Sequence, residues 1–187
     1  AGIAEANAMG VAAGLCATGK TVFMHSFGCF ASRRAFDQAF MSAAYAQLPV
    51  HVIGSDPGVC AAYNGGTHMP FEDIAIMRSI PEITVVEPAD AVAVREIVRM
   101  AKEEYGVWYI RLHRKTAPAI YEAGTTFEVG KANLLRDGKD VTIIAMGFCV
   151  AEALKAAELL EKEGIQARVL DMFCVKPLDE TAVIRAA

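Results

Sequence analysis

The sequence holds no CxxC pair, no excess of basic residues and no long apolar run without a polar interruption, and each absence removes a class of function. Its five cysteines, Cys16, Cys29, Cys60, Cys149 and Cys174, are odd in number and scattered through apolar or loop settings. That pattern argues against a disulfide framework or a zinc site and for reduced thiols. Lys and Arg total 18 against 22 Asp and Glu, a net charge of -4 with no basic stripe. The attraction that dominates nucleic-acid affinity is missing, so no nucleic-acid partner is expected. The Gly/Ala-rich stretch, residues 2–19, contains Glu5 and Asn7 and does not suit a membrane span. The chain opens on Ala1 with no basic leader, so a cytoplasmic protein without membrane attachment is expected. The missing initiator Met implies further residues upstream. GxGxxG, HExxH and GxSxG are also lacking, so dinucleotide-binding, zincin and hydrolase readings lose their usual support.

What is present is a chain of 187 residues, 54% hydrophobic, large for one domain and small for two. It opens with GIAEANAMGVAAGLCATG (2–19), in which ten of eighteen residues are Gly or Ala and Glu5 is the one charge. Each helical glycine costs about 1 kcal/mol against Ala, so close packing against a neighbour is needed to offset a helix this bare.

Apolar strands and helices then alternate. Strands are expected at 21–27, 49–56, 83–88 and 107–114, with helices at 33–48, 72–80 and 89–106. Residues 57–71, rich in Gly and turn formers, form a loop too long for a mere connection. Near-continuous apolar strands joined by helical crossovers specify an α/β fold, a parallel sheet flanked by helices. This first domain is expected over 1–118 and a linker over 119–135. A partial second α/β domain is expected over 136–187, with strands at 140–147 and 165–173 around a helix at 150–164 and a further helix beginning near Pro177. That fragment is too small to cover both faces of a sheet alone, which calls for further residues or a partner surface.

Open parallel sheets bind ligands beyond the carboxyl ends of their strands. Those ends offer His25, Ser26 and Phe27, then Ser55 and Asp56, then Glu87, then Arg111, His113 and Arg114, with His68 in the long loop above them. On spacing alone, two Phe three apart are ordinary core and a loop His is ordinary surface.

Four motifs nevertheless stand in order: GIAEANAMGVAAGLCATGKTVF, SFGCFASRRAFDQ, GGTHMPFEDIAIMRSIPEITVVEPAD and VWYIRLHR. Together they resemble the pyrimidine-binding domain of the transketolase family, above all the C-terminal subunit of split transketolases, with the deoxyxylulose-phosphate synthases next. The segment from FEVGKANLLRDGKDVTIIAMG through DMFCVKPLDE resembles the start of that family's C-terminal domain. The resemblance covers nearly the whole chain and implies a thiamine-diphosphate enzyme that moves a two-carbon ketol unit between sugars.

By that resemblance Glu5 is the catalytic acid that hydrogen-bonds the cofactor's aminopyrimidine, a task suited to a desolvated carboxyl with a raised pKa. Phe27 and Phe30, spaced as in the family's TFxxF, flank the ring, and Arg34, if not simply solvated beside Arg33, touches the cofactor. His68 matches the family's THQ histidine and stabilises charge on a substrate oxygen. Arg111 grips the substrate's anionic end, with Arg114 a weaker candidate for the same role.

Two positions depart from the family pattern. Asn64 replaces the Asp of its GEDG and can still bind a sugar hydroxyl through its amide. Asp56 stands where a cation usually holds the sugar phosphate, so by the resemblance it binds a hydroxyl-rich or unphosphorylated end of the substrate. An anion about 4 Å from a phosphate is repulsive by several kcal/mol at intermediate dielectric, so the ordinary phosphosugar is disfavoured. No GDG…N motif is present to hold diphosphate and Mg2+, which implies a separate N-terminal subunit carrying that domain, self-association, and a heterotetramer. The same resemblance leaves room for a decarboxylating relative, such as a deoxyxylulose-phosphate synthase or a two-oxo-acid dehydrogenase beta subunit, and for a non-catalytic homologue that stabilises a partner.

Overall fold

The computed structural model describes residues 1–187 and divides into two compact units, Ala1–Val86 with Arg99–Arg114, and Glu87–Val98 with Lys115–Ala187. In chain order the first elements are α1 (Glu5–Ala17), β1 (Val22–Phe27), α2 (Phe36–Gln38), β2 (Val50–Ser55), α3 (Asp73–Arg78), β3 (Thr84–Val86), α4 (Ala91–Glu103) and β4 (Trp108–Leu112). They are followed by β5 (Asn133–Arg136), β6 (Val141–Ala145), α5 (Cys149–Lys162), β7 (Ala167–Asp171), β8 (Cys174–Lys176) and α6 (Glu180–Ala186). No helix is long and apolar enough to cross a membrane.

In the first unit the strands are parallel and ordered β1-β2-β4-β3. Register follows from burial. Val50 and Val52 of β2 and Trp108, Tyr109 and Ile110 of β4 are all buried, as expected of central strands covered on both faces. Tyr109 lies across β2 so closely that a Cβ on Gly54 would overlap its ring, which restricts that position to glycine. Because every strand runs the same way, Phe27, Ser55 and Leu112 end on one edge.

The helical stretch after β1 begins at Phe30, earlier than the expected residue 33, and α2 is flanked by π-helical segments Phe30–Arg34 and Ala39–Tyr45. The Ser32 hydroxyl donates to the Gly28 carbonyl at 2.6 Å, diverting a helical acceptor at the start of the first segment. Such irregular turns are common near functional sites.

α1 is a bare rod, as its composition requires. Met9, Ala12, Ala13 and Cys16 are buried, whereas Val11 and Leu15, and Ile3 just before the helix, are exposed. A Cβ placed on Gly10 or Gly14 would meet nothing within 4 Å, so no part of this chain makes the close approach that those glycines permit.

Gly14–Thr21, GLCATGKT, satisfies the GxxxxGK[ST] spacing of a nucleotide-binding loop. Here it is the end of α1 running into β1. A phosphate cradle needs a strand leading into a helix N-terminus, so this order is reversed and the match is coincidental.

In the second unit the sheet order is β5-β7-β6, with β6 parallel and β5 antiparallel to β7. Ala153 and Ala157 of α5 pack with Ala167 and Val169 of β7, joined by Leu135, Ile143, Leu154 and Leu160. β5 lies partly within the expected linker. NLLR is too short to declare itself as a strand among Pro, Gly and Thr, and its ladder exists only once β7 is beside it. Residues 87–98 also group with this unit.

Candidate active site

The carboxyl edge of the first sheet gathers most of the expected residues. Glu5 opens α1, where a carboxylate benefits from the helix dipole. Its residue is 8% exposed, and its two oxygens are held separately. Oε1 accepts from Ser26 Oγ at 3.3 Å, and Oε2 accepts from Arg34 Nη1 at 2.8 Å. The Arg34 guanidinium also lies over the Phe30 ring, 4.2 Å from its centroid. Phe27 and Phe30 meet edge to face at 5.9 Å, and the His68 ring stands edge-on to both, at 5.2 and 5.0 Å. His68 Nδ1 lies 2.9 Å from Thr67 Oγ1. An open hollow of about 380 Å³, lined by Cys29, Phe30, Arg33, Arg34 and Thr67, adjoins this cluster.

The expected raised pKa of Glu5 is not what this chain by itself produces. Burial is the largest single influence and pushes it up, but hydrogen bonds from Arg34, its own backbone N–H and Ser26, with the Arg34 charge, together outweigh burial. The carboxyl is held below its ordinary range. Neither arginine is merely solvated, since Arg34 is tied to Glu5 and Arg33 Nε to Glu72 at 2.8 Å.

Arg111 is placed differently from the expectation. Its Nε and Nη2 form a fork onto Asp73, at 2.9 and 3.0 Å, and Tyr109 donates to the same carboxylate at 2.7 Å. Asp73 is fully buried, so the Arg111 fork neutralises an otherwise costly charge and is turned toward the protein. Sequence reasoning passed over Asp73, because nothing in EDIAIMR separates it from an ordinary helix-start acid.

Asp56 is 2% exposed and adopts a left-handed backbone, φ 61°. Ser55 Oγ donates to its Oδ2 at 2.8 Å, and Arg114 Nε lies 2.5 Å from its Oδ1, an ion pair without the alignment of a hydrogen bond. Arg114 is half exposed and also sits 5.4 Å from the Phe27 ring centroid. Of Arg111 on β4 and Arg114 just beyond its end, Arg114 is therefore the one presented to the cluster. Asn64 closes the short turn Ala62–Asn64 and is exposed. His25 is exposed, and Glu87 belongs to the second unit. No group of three or more His, Cys, Asp or Glu is arranged to hold a metal ion.

The profile of the family described as "Transketolase, pyrimidine binding domain" matches residues 1–119, and that of "Transketolase, C-terminal domain" matches residues 130–187. A 6-deoxy-6-sulfo-D-fructose transketolase subunit of Clostridium sp. (strain MSTE9) is 54% identical over 186 residues, which cover 100% of this chain and 58% of that protein. A subunit of the apulose-4-phosphate transketolase of Phocaeicola vulgatus is 41% identical over 187 residues, covering 100% of this chain and 60% of that one. A solved split-gene transketolase, described as an inactive beta4 tetramer, superposes with a TM-score of 0.91 at 44% identity, covering 100% of this chain and 60% of that chain. The chain thus spans somewhat under two thirds of the length of these relatives. Over its pyrimidine-binding and C-terminal segments alike, the chain belongs to the transketolase family.

Proposed function

We propose that this chain supplies the pyrimidine-side half of a thiamine-diphosphate-dependent ketol-transfer site, with the diphosphate and Mg2+ held by a partner subunit. The observation that carries the reading is the setting of Arg34. Its guanidinium is a flat, nitrogen-rich cation that donates to Glu5 Oε2 while stacked on Phe30. An aminopyrimidine asks for the same two contacts, a carboxylate against a ring nitrogen and an aromatic face, so the residues present fit that half of the cofactor. Glu5, Phe27 and Phe30 would hold it, with Arg34 turned aside toward the adjoining hollow.

Thiamine diphosphate, when bound, supplies the thiazolium carbon that accepts a two-carbon ketol unit from one sugar and delivers it to another. Glu5 contributes by holding a proton at the pyrimidine nitrogen. Removing Arg34 from its carboxyl takes away the main influence that keeps its pKa low, and burial then acts in the direction the chemistry needs. His68, kept upright by Phe27 and Phe30, offers a ring nitrogen to a substrate oxygen.

At the rim, Arg114 meets the anionic end of the sugar, in place of Arg111. With Asp56 it forms a pair of no net charge, which suits a singly charged sulfonate better than a phosphate of about -1.5 to -2. The sulfofructose relative supports the same substrate class. The bare exposed face of α1, with Val11, Leu15 and two unopposed glycines, and Ile3 just before it, suits close contact with another subunit in a heterotetramer.

The test is ketol transfer by the full-length chain reconstituted with its partner subunit, thiamine diphosphate and Mg2+. Glu5→Gln is expected to lose at least about 100-fold in kcat, the ordinary contribution of a positioned acid. Transfer at the wild-type rate by that variant, or no transfer by the wild-type assembly, refutes the reading.

A further inference from the structure

Cys60 and His113 form a pair that the ketol-transfer reading does not use. Cys60 Sγ lies 2.8 Å from His113 Nε2, joining two segments 53 residues apart in sequence. Cys60 is partly exposed, in the turn that opens the loop over the sheet edge, where its N–H donates to the Pro57 carbonyl at 3.1 Å. His113 follows the last residue of β4 and directly precedes Arg114.

The other cysteines are set differently. Cys16, Cys29 and Cys174 are buried, and burial raises the pKa of the Cys16 and Cys29 thiols. Cys149 is exposed at the start of α5. A thiol within hydrogen-bond reach of an imidazole is the arrangement of an activated sulfur nucleophile. We propose that Cys60, assisted by His113, is a modification site of this chain, reacting with peroxides and with soft carbon electrophiles.

With a hydroperoxide, His113 Nε2 takes the thiol proton as sulfur attacks the terminal peroxide oxygen. The S–O bond forms and the O–O bond breaks. The departing alkoxide, or hydroxide from hydrogen peroxide, receives the proton from His113. Sulfur is oxidised to the sulfenic acid and the peroxide is reduced to an alcohol or water.

The consequence lies next door. Asp56–Arg114 and Cys60–His113 are two neighbouring cross-links between the loop after β2 and the end of β4. An oxygen or alkyl group on Cys60 cannot fit within the 2.8 Å contact, so modification breaks one cross-link and loosens the other. Since it acts through Arg114, modification weakens substrate binding rather than the cofactor's hold. This consequence rests on the ketol-transfer reading, whereas the reactivity of Cys60 does not.

The experiment treats the full-length chain, assembled with its partner subunit, with substoichiometric hydrogen peroxide plus a sulfenic-acid trap, and separately with iodoacetamide. Each labelled cysteine is located and timed by mass spectrometry. Cys60 is expected to react at least about tenfold faster than the more exposed Cys149, and His113→Gln to abolish that advantage while the Cys149 rate stays the same. If Cys149 reacts as fast as Cys60 in the wild type, the proposal is overturned. If His113→Gln exposes Cys16 and Cys29 to label, the variant has unfolded and the wild-type comparison alone decides. If Cys60 is selectively labelled but KM for the sugar stays unchanged, the coupling to Arg114 is overturned. A wild-type assembly without ketol transfer would instead count against the functional reading and leave the labelling result intact.

Discussion

Replacing Asp171 by Asn should change how stability depends on pH, because a buried acid in the second unit is held in its protonated form. Asp171 ends β7 and is fully buried. Its Oδ2 accepts from Tyr121 Oη at 2.6 Å, and its Oδ1 has no hydrogen-bond partner within the chain. Burial is the main cause that raises its pKa from 3.8 to about 7. The Tyr121 hydrogen bond offsets part of this, and the Asp90 and Glu87 carboxylates add to it. The folded chain thus keeps a proton that the unfolded chain releases near pH 4. Between about pH 4 and pH 7 the native state binds more protons than the unfolded state, so stability falls as pH rises, by about 1.4 kcal/mol per pH unit and about 4 kcal/mol in all. The Asp171→Asn side chain has no proton to lose and still offers a carbonyl oxygen to Tyr121. The variant should therefore lack this slope. It should match or fall below the wild type at pH 5 and exceed it by about 2–4 kcal/mol at pH 8. Urea unfolding of both proteins, followed by circular dichroism from pH 5 to pH 8, reads the difference directly. A stability difference that stays constant over that range refutes the argument.

Three further changes test the first unit. Asp73→Asn removes the buried charge shared by Arg111 and Tyr109, so the part-buried Arg111 guanidinium loses its ion-pair partner on α3, and the change should cost about 3 kcal/mol in chemical denaturation. Arg34→Met removes the ion pair at Glu5, so the Glu5 pKa, followed by carboxyl-labelled NMR on the isolated chain, should rise above its wild-type value. No upward movement would mean that Arg34 does not set it. In the assembled enzyme, Asp56→Asn leaves Arg114 without its counter-charge. The ratio of kcat/KM for a C6-sulfonated over a C6-phosphorylated ketose should fall about tenfold, the effect of roughly 1.4 kcal/mol of relieved repulsion.

Periodicity and composition were enough to read the alternating elements, the parallel first sheet and the edge where the candidate residues gather, because these depend on local apolar patterning that each strand and helix carries by itself. Motif order named Glu5, Phe27, Phe30 and His68 as candidates, and folding brings Phe27, Phe30 and His68 into ring contact, with Arg34 linking Glu5 to Phe30. Pairing was another matter. That Arg34 caps Glu5, that Arg111 turns inward to Asp73 while Arg114 faces the cluster, that Asp56 is neutralised and that Cys60 reaches His113 all depend on side chains 29 to 58 residues apart. The antiparallel β5 and the proton held on Asp171 are of the same kind. A strand of four residues is stable only on its neighbour, and a carboxyl's pKa is set by the burial and charges that folding brings around it. Local pattern encodes which elements form, whereas the charge state and partner of each site residue are decided only when distant segments exclude water from the space between them.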